Sequence, residues 1–381
     1  MTLTAVSLGT AGASASNSPF NVLMIAGTTG PVAPPTQAEI QATKAAASVI
    51  NHEGGIDGHK IAVKEVNDNL DPTTALSELQ QAESGSAKPN LVFAGTTSNE
   101  TLAMLPTLTR DKTLSMELAG SGVFDSPYQF ALPNYLPNQA TALVNAIKKQ
   151  YPNAKKIGIA ITNDAFGTSL LQSYEPAITK AGLTYVVQTF SDTATDVTPE
   201  LQTLQAANPD VLIASGYGAI GGYIIQDRAN LGWTVPTIGD GAESSNDLPA
   251  MVPASALDGV SLIAQAPSVY KPLSQESKAF QTFWKATALQ GSKFTQSIVL
   301  YTLSYDDLML VYLAAKQAHS TSSTAIANAL EHLKQPKVKP YVTWSTEGFT
   351  PKLHVEQAPA TDYVLASAYT KDGMALPFGS K

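Results

Sequence analysis

The sequence predicts an α/β protein with two Rossmann-like lobes, each built on a parallel sheet. A chain of 381 residues is long for one α/β domain and long enough for two domains with separate cores. Phe20 to Gly27 (FNVLMIAG) is an unbroken apolar run, which is typical of a parallel strand buried on both faces. A helix predicted over 38–50 and a strand over 60–66 follow, and together they form a βαβ unit.

The same order of elements recurs in the second half of the chain. Strand, loop, helix and strand return over 156–189. Residues 74–97 and 198–217 then agree with each other, since each gives a helix, a Pro turn, an apolar strand and a Gly at the strand's carboxyl end. We therefore interpret residues 20–135 and 138–262 as a duplicated α/β half.

Two further helices, predicted over 302–318 and 321–333, follow both halves and must pack back onto one of them. The chain is therefore expected to cross between the lobes three times, near Pro137, Ala264 and Pro340. This division assigns 1–17 to a signal remnant or flexible N-terminus, 18–137 plus 264–339 to lobe 1, and 138–263 plus 340–381 to lobe 2.

Composition excludes several classes of function. The net charge is −8 and there is no basic cluster, so the electrostatic attraction that dominates nucleic-acid binding is missing. The absence of cysteine removes disulfides, thiolate catalysis and Cys-ligated zinc. After the N-terminal segment we find no run of 18 apolar residues, and we predict no membrane span.

The N-terminal segment has features of an export signal. The first 38 residues carry no charged side chain, and Ala13-Ser14-Ala15 has the form of a signal-peptidase site. A positively charged start is missing, so a flexible terminus is the alternative. We predict an exported protein, periplasmic or extracellular.

Several short motifs occur in an order that resembles the branched-chain amino-acid-binding group of type I periplasmic solute-binding proteins. The motifs are Gly30-Pro31-Val32-Ala33, Ile50-Asn51 with Gly54-Gly55-Ile56, Asp68-Asn69 with Asp71-Pro72, Gly95-Thr96-Thr97-Ser98, Phe166-Gly167 and Tyr305-Asp306. The resemblance implies two Rossmann-like lobes joined by a three-stranded hinge, which close on a small ligand and deliver it to an ABC transporter permease. It implies no catalytic residue, no metal and no cofactor.

The resemblance also implies a set of ligand-binding residues. A ligand carboxylate would lie on two loops of the first half, an ammonium group on acids of the second half, and aromatic side chains would form walls. In that order the residues are Thr96, Thr97, Ser98, Ala119, Gly120 and Ser121, then Asp240 or Glu243, then Phe166 and Tyr217. Pro34 and Pro35 stand where relatives often carry an aromatic, and Ala131 where they carry an arginine, so an aromatic or short-chain carboxylic acid remains an alternative to an amino acid.

At each of two of these loops the residues themselves allow two interpretations. Thr97 and Glu100 form a capping box, so a helix N-terminus that suits an anionic oxygen opens at this loop, although capping alone also explains both residues. Asp240 and Glu243 have no basic residue nearer in sequence than Arg228, which leaves them open to a cationic group or simply to solvent.

Two other functions stay open at this point. Gly216 to Gly221 (GYGAIG) follows an apolar strand and precedes a helix, as in a dinucleotide-binding fingerprint, although it lies in the middle of the fold. An NAD-dependent enzyme is therefore one alternative. The other is a cytoplasmic amide or amino-acid sensor, since regulators share the fold that the resemblance implies.

Overall fold

The computed structural model describes residues 18–30, 32–120, 126–132, 136–291, 294–343, 348–356 and 358–381. The predicted signal segment, 1–17, lies outside these residues. The described chain forms two sheets, one of five strands and one of seven, each covered by helices.

The first sheet is entirely parallel and has the strand order β2-β1-β3-β4-β5. Its strands are β1 (Phe20–Ala26), β2 (Ile61–Asn67), β3 (Leu91–Ala94), β4 (Leu114–Glu117) and β5 (Gln129–Ala131). The crossover helices are α1 (Ala33–His52), α2 (Pro72–Ser84) and α3 (Ser98–Asp111). β1 and β3 are buried along nearly their whole length, which agrees with their unbroken apolar sequences.

The second sheet repeats this order and extends it. Its strands are β6 (Lys156–Thr162), β7 (Thr184–Phe190), β8 (Val211–Ser215), β9 (Thr237–Gly239), β10 (Val260–Gln265), β11 (Tyr363–Lys371) and β12 (Met374–Pro377). Its helices are α4 (Leu136–Gln150), α5 (Ala165–Lys180), α6 (Thr198–Ala206), α7 (Ala219–Asn230), α8 (Gly241–Ser244) and α9 (Leu248–Met251). The parallel part, β7-β6-β8-β9-β10, matches the first sheet strand for strand, and β11 and β12 add an antiparallel edge. The predicted fold class is confirmed.

Three helices after the second lobe return to the core of the first. They are α10 (Lys278–Leu289), α11 (Ile298–Ala318) and α12 (Ser323–Glu331). By length and by a mean hydropathy of 1.4, α11 is apolar enough to cross a membrane, which the sequence analysis overlooked. Because 89% of this stretch is buried inside the protein, α11 has the environment of a core helix.

The third passage between the lobes lies later than predicted. Tyr341 and Phe349 belong to the first lobe's core, and Val355 forms a parallel bridge with Ala131 at the end of β5. The His354 ring also holds this segment against the first lobe, because it stacks on Phe130 with ring centroids 4.2 Å apart. Residues 341–343 and 348–356 therefore extend the first lobe, and since Ala358 belongs to the core of the second lobe, the passage lies after residue 356 instead of near Pro340.

Candidate functional site: a cavity between the lobes

A cavity of about 230 Å³ lies where the carboxyl ends of the parallel strands of both sheets face each other. The first lobe contributes the loops after β3 and β4 together with α1 and α11, and the second contributes the loops after β6, β8 and β9. Ligands of open α/β sheets bind at this end of the strands.

The lobes touch each other around the cavity. The Tyr217 hydroxyl donates to the Glu39 carboxylate over 3.5 Å, and the Ser297 hydroxyl donates to the Ser244 carbonyl over 2.9 Å. Gly120 faces the Phe166 ring so closely that a Cβ at this glycine would lie 3.0 Å from a ring carbon. The structure therefore shows the lobes closed on each other.

Most of the predicted binding residues lie on the cavity surface. They are Thr96, Thr97, Ser98, Ala119, Gly120, Phe166 and Tyr217. Ser121 falls outside the described residues. Asp240 and Glu243 are absent from the described lining.

The polar groups of the 96–98 loop are largely engaged inside the protein. The backbone N–H groups of Thr96 and Thr97 both donate to one Glu100 oxygen, at 2.8 and 3.0 Å. The Thr96 hydroxyl accepts from the Gly27 N–H at 2.9 Å. The Ser98 hydroxyl, which is buried on the cavity wall, has no hydrogen-bond partner in the described chain. The structure therefore shows Glu100 capping its own helix. Because the Thr96 and Thr97 N–H groups are used for this cap, the loop has few donors left for a ligand carboxylate.

Asp240 and Glu243 lie in the interior of the second lobe, behind the cavity. Asp240 caps α8, accepting from the Glu243 N–H at 3.1 Å and from the Tyr174 hydroxyl at 2.5 Å. Both acids are completely buried, and burial raises the pKa of each. These two side chains do not form the ammonium site that the resemblance implied in this arrangement: the α8 cap and Tyr174 engage the Asp240 carboxylate, and Glu243, although its oxygens are unpartnered, lies outside the described lining of the cavity.

Three other acids, which the sequence analysis did not select, line the cavity from the first lobe. Glu39 lies on α1, Glu117 ends β4, and Asp307 lies in the middle of α11. Their exposed fractions are 4%, 0% and 1%, respectively. For Asp307 a signal was available, namely an acid inside a largely apolar helix, because burying a carboxyl there costs free energy unless it has a use.

Two of these three acids, Glu39 and Asp307, are only partly satisfied by the protein. Glu117 accepts from the Gln129 amide at 2.9 Å. One oxygen of Glu39 and one of Asp307 are buried without a hydrogen-bond partner. Burial raises the pKa of Glu39 to about 8, and the hydrogen bond from Tyr217 opposes this only in part. Burial raises the pKa of Asp307 well above its ordinary range, and the charges of Asp306, Glu39, Glu356 and Glu117 add to the effect.

The rest of the lining combines apolar side chains, two further acids and several neutral polar side chains. Asp164 and Asp192 lie in the lining on the second-lobe side, with Asp192 exposed to solvent. The apolar side chains are Val32, Leu70, Leu118, Leu136, Phe166, Ile220, Val299, Leu300 and Leu303. Within the described lining there is no Lys, Arg or His. Such a surface suits a small molecule with an apolar body and a positively charged group.

The Gly216 to Gly221 loop is tied to the protein itself. Asn246 accepts from the Gly218 N–H at 2.9 Å and donates to the Gly216 carbonyl at 2.8 Å. A dinucleotide-binding loop needs its backbone N–H groups for pyrophosphate. This arrangement therefore gives the NAD alternative no support.

Comparison with known proteins now identifies the family. The family model for periplasmic binding protein matches residues 19–355. The chain belongs to the periplasmic binding protein family. Leu/Ile/Val-binding protein homolog 3 of Brucella melitensis is 24% identical to this periplasmic binding protein over 330 residues, which are 84% of each chain.

Solved structures show the same fold. The branched-chain amino acid transporter substrate-binding protein of Streptococcus pneumoniae, in complex with isoleucine, has a TM-score of 0.74 at 19% identity and covers 94% of this chain and 97% of its own. A solute-binding protein of a Rhodopseudomonas palustris ABC transporter, in complex with benzoate, has a TM-score of 0.77 at 17% identity, covering 95% and 96%. At these identities the likeness establishes the type I periplasmic binding protein fold and not the ligand.

Proposed function

We propose that this periplasmic binding protein is an exported, non-enzymatic receptor that captures a small molecule between its lobes and delivers it to an ABC transporter permease. The observation that carries the proposal is the cavity between the two sheets, which both lobes line and whose edges their contacts close. Hinge closure around a ligand is the event that such a receptor offers to a transporter.

An amino acid or a related amine is the ligand class that the cavity favours. Its volume, about 230 Å³, is below the roughly 300 to 1,000 Å³ of sites for drug-sized ligands. The relatives' names mention Leu/Ile/Val, isoleucine and benzoate, which are molecules of this small size. The acidic lining favours a cation over a plain carboxylic acid such as benzoate, because only a cation compensates the buried acids when they ionise.

The proposal is tested by a thermal-shift screen of the purified protein. The panel holds amino acids, amines, aromatic and short-chain carboxylates, amides, sugars and NAD, because any ligand selective for the folded state raises Tm. We expect one class of small molecule to raise Tm and to lower the radius of gyration in solution scattering. A response to NAD alone would support the enzyme alternative and would contradict the receptor.

A further inference from the structure

The most informative unused feature of the molecule is the set of first-lobe acids Glu39, Glu117 and Asp307, which we call the floor acids. They come from three different elements, α1, β4 and α11, and all three side chains are buried at the same cavity. Solvated carboxylates on a surface need no explanation, but three buried ones with no basic residue in the described lining do.

Resting on the function proposed above, we propose that the ligand is a small organic cation, whose positively charged nitrogen binds the floor acids while its apolar body packs against the leucine and phenylalanine walls. No carboxylate on the ligand is required. This places the cationic group on the first lobe and leaves Asp240 and Glu243 without contact to it.

The unpartnered oxygens support this assignment independently of the acids' number. Glu39 and Asp307 are each more than nine-tenths buried, line the cavity, and each keep one oxygen without a donor in the described chain. A buried acceptor left unpaired costs about 1 to 3 kcal/mol. An ammonium or guanidinium group supplies several N–H donors at once, so it satisfies both oxygens and compensates their charge.

A metal ion fits these residues less well than an organic cation. Among the described residues, no group of three or more His, Asp or Glu side chains is arranged to hold a metal. The remaining lining is largely apolar, and hard cations require a shell of oxygen ligands. An apolar surface beside a charged end favours a molecule that has both parts.

The loop after β3 offers few hydrogen-bond donors to an anionic group of a ligand. The Thr96 and Thr97 N–H groups already donate to Glu100, which also places a carboxyl at the N-terminus of α3. Of the residues on that loop, Ser98 retains a free hydroxyl. A carboxylate in the cavity would also keep the floor acids protonated, whereas a cation lets them ionise and pairs with them.

The test uses ligands that share one apolar body and differ in charge. Calorimetry measures binding of 3-methylbutylamine, L-leucinamide, L-leucine and 4-methylpentanoate to the full chain. A second pair, 2-phenylethylamine and 3-phenylpropanoate, and the diamine cadaverine test other bodies. We expect the cations to bind at least tenfold more tightly than the zwitterion, and the two carboxylates not to bind.

Variants locate the site. Glu39→Gln and Asp307→Asn are each expected to weaken amine binding at least tenfold, whereas the control Asp247→Asn, a half-buried acid of lobe 2 outside the described lining, leaves Kd unchanged. If a variant does not fold, proton release by the wild type replaces it. Cation binding at pH 7 should release about one proton or more, because the raised pKa of Glu39 keeps its carboxyl protonated until a cation arrives. The groups that face the two acids are Tyr217, Asp306, Glu117 and Glu356.

The outcomes separate this inference from the proposed function. Tighter binding of 4-methylpentanoate than of its amine, or binding by another class of molecule while every cation fails, overturns the cation assignment and leaves the receptor standing. Amine binding that is insensitive to Glu39→Gln and Asp307→Asn also overturns it. Failure of every compound in the calorimetric and thermal-shift panels contradicts both.

Discussion

Each lobe buries a set of acids near the cleft, and the two sets differ in what they contact. In the second lobe, Asp240 accepts from a helix N–H and from Tyr174, and neither it nor Glu243 lies in the described lining of the cavity. In the first lobe, Glu39 and Asp307 each retain an unpaired oxygen, as Glu243 does, but they line the cavity. The pKa of all four acids is raised by burial, so burial alone does not distinguish a structural acid from a binding one.

The largest single effect is expected from Glu39, in the pH dependence of stability. Since burial raises the pKa of Glu39 from 4.5 to about 8, the folded state binds more protons than the unfolded state between these pH values. The free energy of unfolding therefore falls as pH rises from about 4.5 to about 8, by on the order of 4 kcal/mol for this one group. Glu39→Gln should remove that part of the loss, so that its Tm exceeds the wild-type Tm at pH 8 and matches it near pH 5.

Thermal unfolding at several pH values, without ligand, measures this effect. Glu65→Gln is the matched control, because Glu65 is exposed and paired with Lys44 over 3.1 Å. If Glu39→Gln and wild type lose stability in parallel from pH 5 to pH 8, the Glu39 carboxyl is not held in its neutral form and this prediction is wrong.

Removing an acid of the second lobe should have the opposite sign. Asp240→Ala deletes the cap of α8 and leaves the buried Tyr174 hydroxyl short of its acceptor. A lost cap costs about 1 kcal/mol and an unpaired buried hydroxyl costs about 1 to 3 kcal/mol. We expect a loss of about 2 kcal/mol at pH 7, read from the urea midpoint.

Asp240→Asn is the control, since the amide keeps an acceptor oxygen of the same shape and should cost less than Asp240→Ala. An Asp240→Ala protein of wild-type stability that fails to bind 3-methylbutylamine would contradict the structural role and would restore the ammonium site implied by the family resemblance.

The sequence predicted most of the fold but not where the first lobe ends. Alternating apolar strands and helices repeat along the chain, so the two sheets and their common order followed from local pattern. The end of the first lobe did not, because the pairing of Val355 with Ala131 joins segments more than 200 residues apart and leaves no local signal. Val355 lies outside any helix or strand of the described chain, so no periodic pattern marks its position.

The sequence predicted only those residues of the candidate site that lie on loops after strands. Thr96 to Ser98, Phe166 and Tyr217 follow strands, and the fold places such positions at the cleft. Asp240 occupies the equivalent position, yet its side chain turns to Tyr174, which a sequence cannot show. Asp307 lies within an apolar helix, and which face of that helix meets the cavity depends on how α11 packs against α1.

Closure of the lobes is a third property in which the two lobes can be compared, because the second lobe contributes more surface than charge to the cavity. A Cβ at Gly120 would lie 3.0 Å from the Phe166 ring, so a valine there should hold the lobes apart. We expect Gly120→Val to weaken binding of 3-methylbutylamine about tenfold, equal to about 1.4 kcal/mol, and to increase the radius of gyration of the mixture. Gly120→Ala should show an intermediate effect, whereas unchanged Kd in both variants would mean that closure does not depend on this contact.

The smallest effect is expected where the second lobe offers its polar contact to the floor acids. The Tyr217 hydroxyl reaches Glu39 over 3.5 Å, which is long for such a bond, and Tyr217 keeps its ring against the cavity without it. Tyr217→Phe should therefore weaken amine binding by about two- to threefold, within the net contribution of one hydrogen bond. Tyr217→Ala, which also removes the ring, should lose more. A loss above tenfold in Tyr217→Phe would instead assign polar recognition to both lobes, since the hydroxyl would then be needed to hold Glu39 ionised opposite the cation.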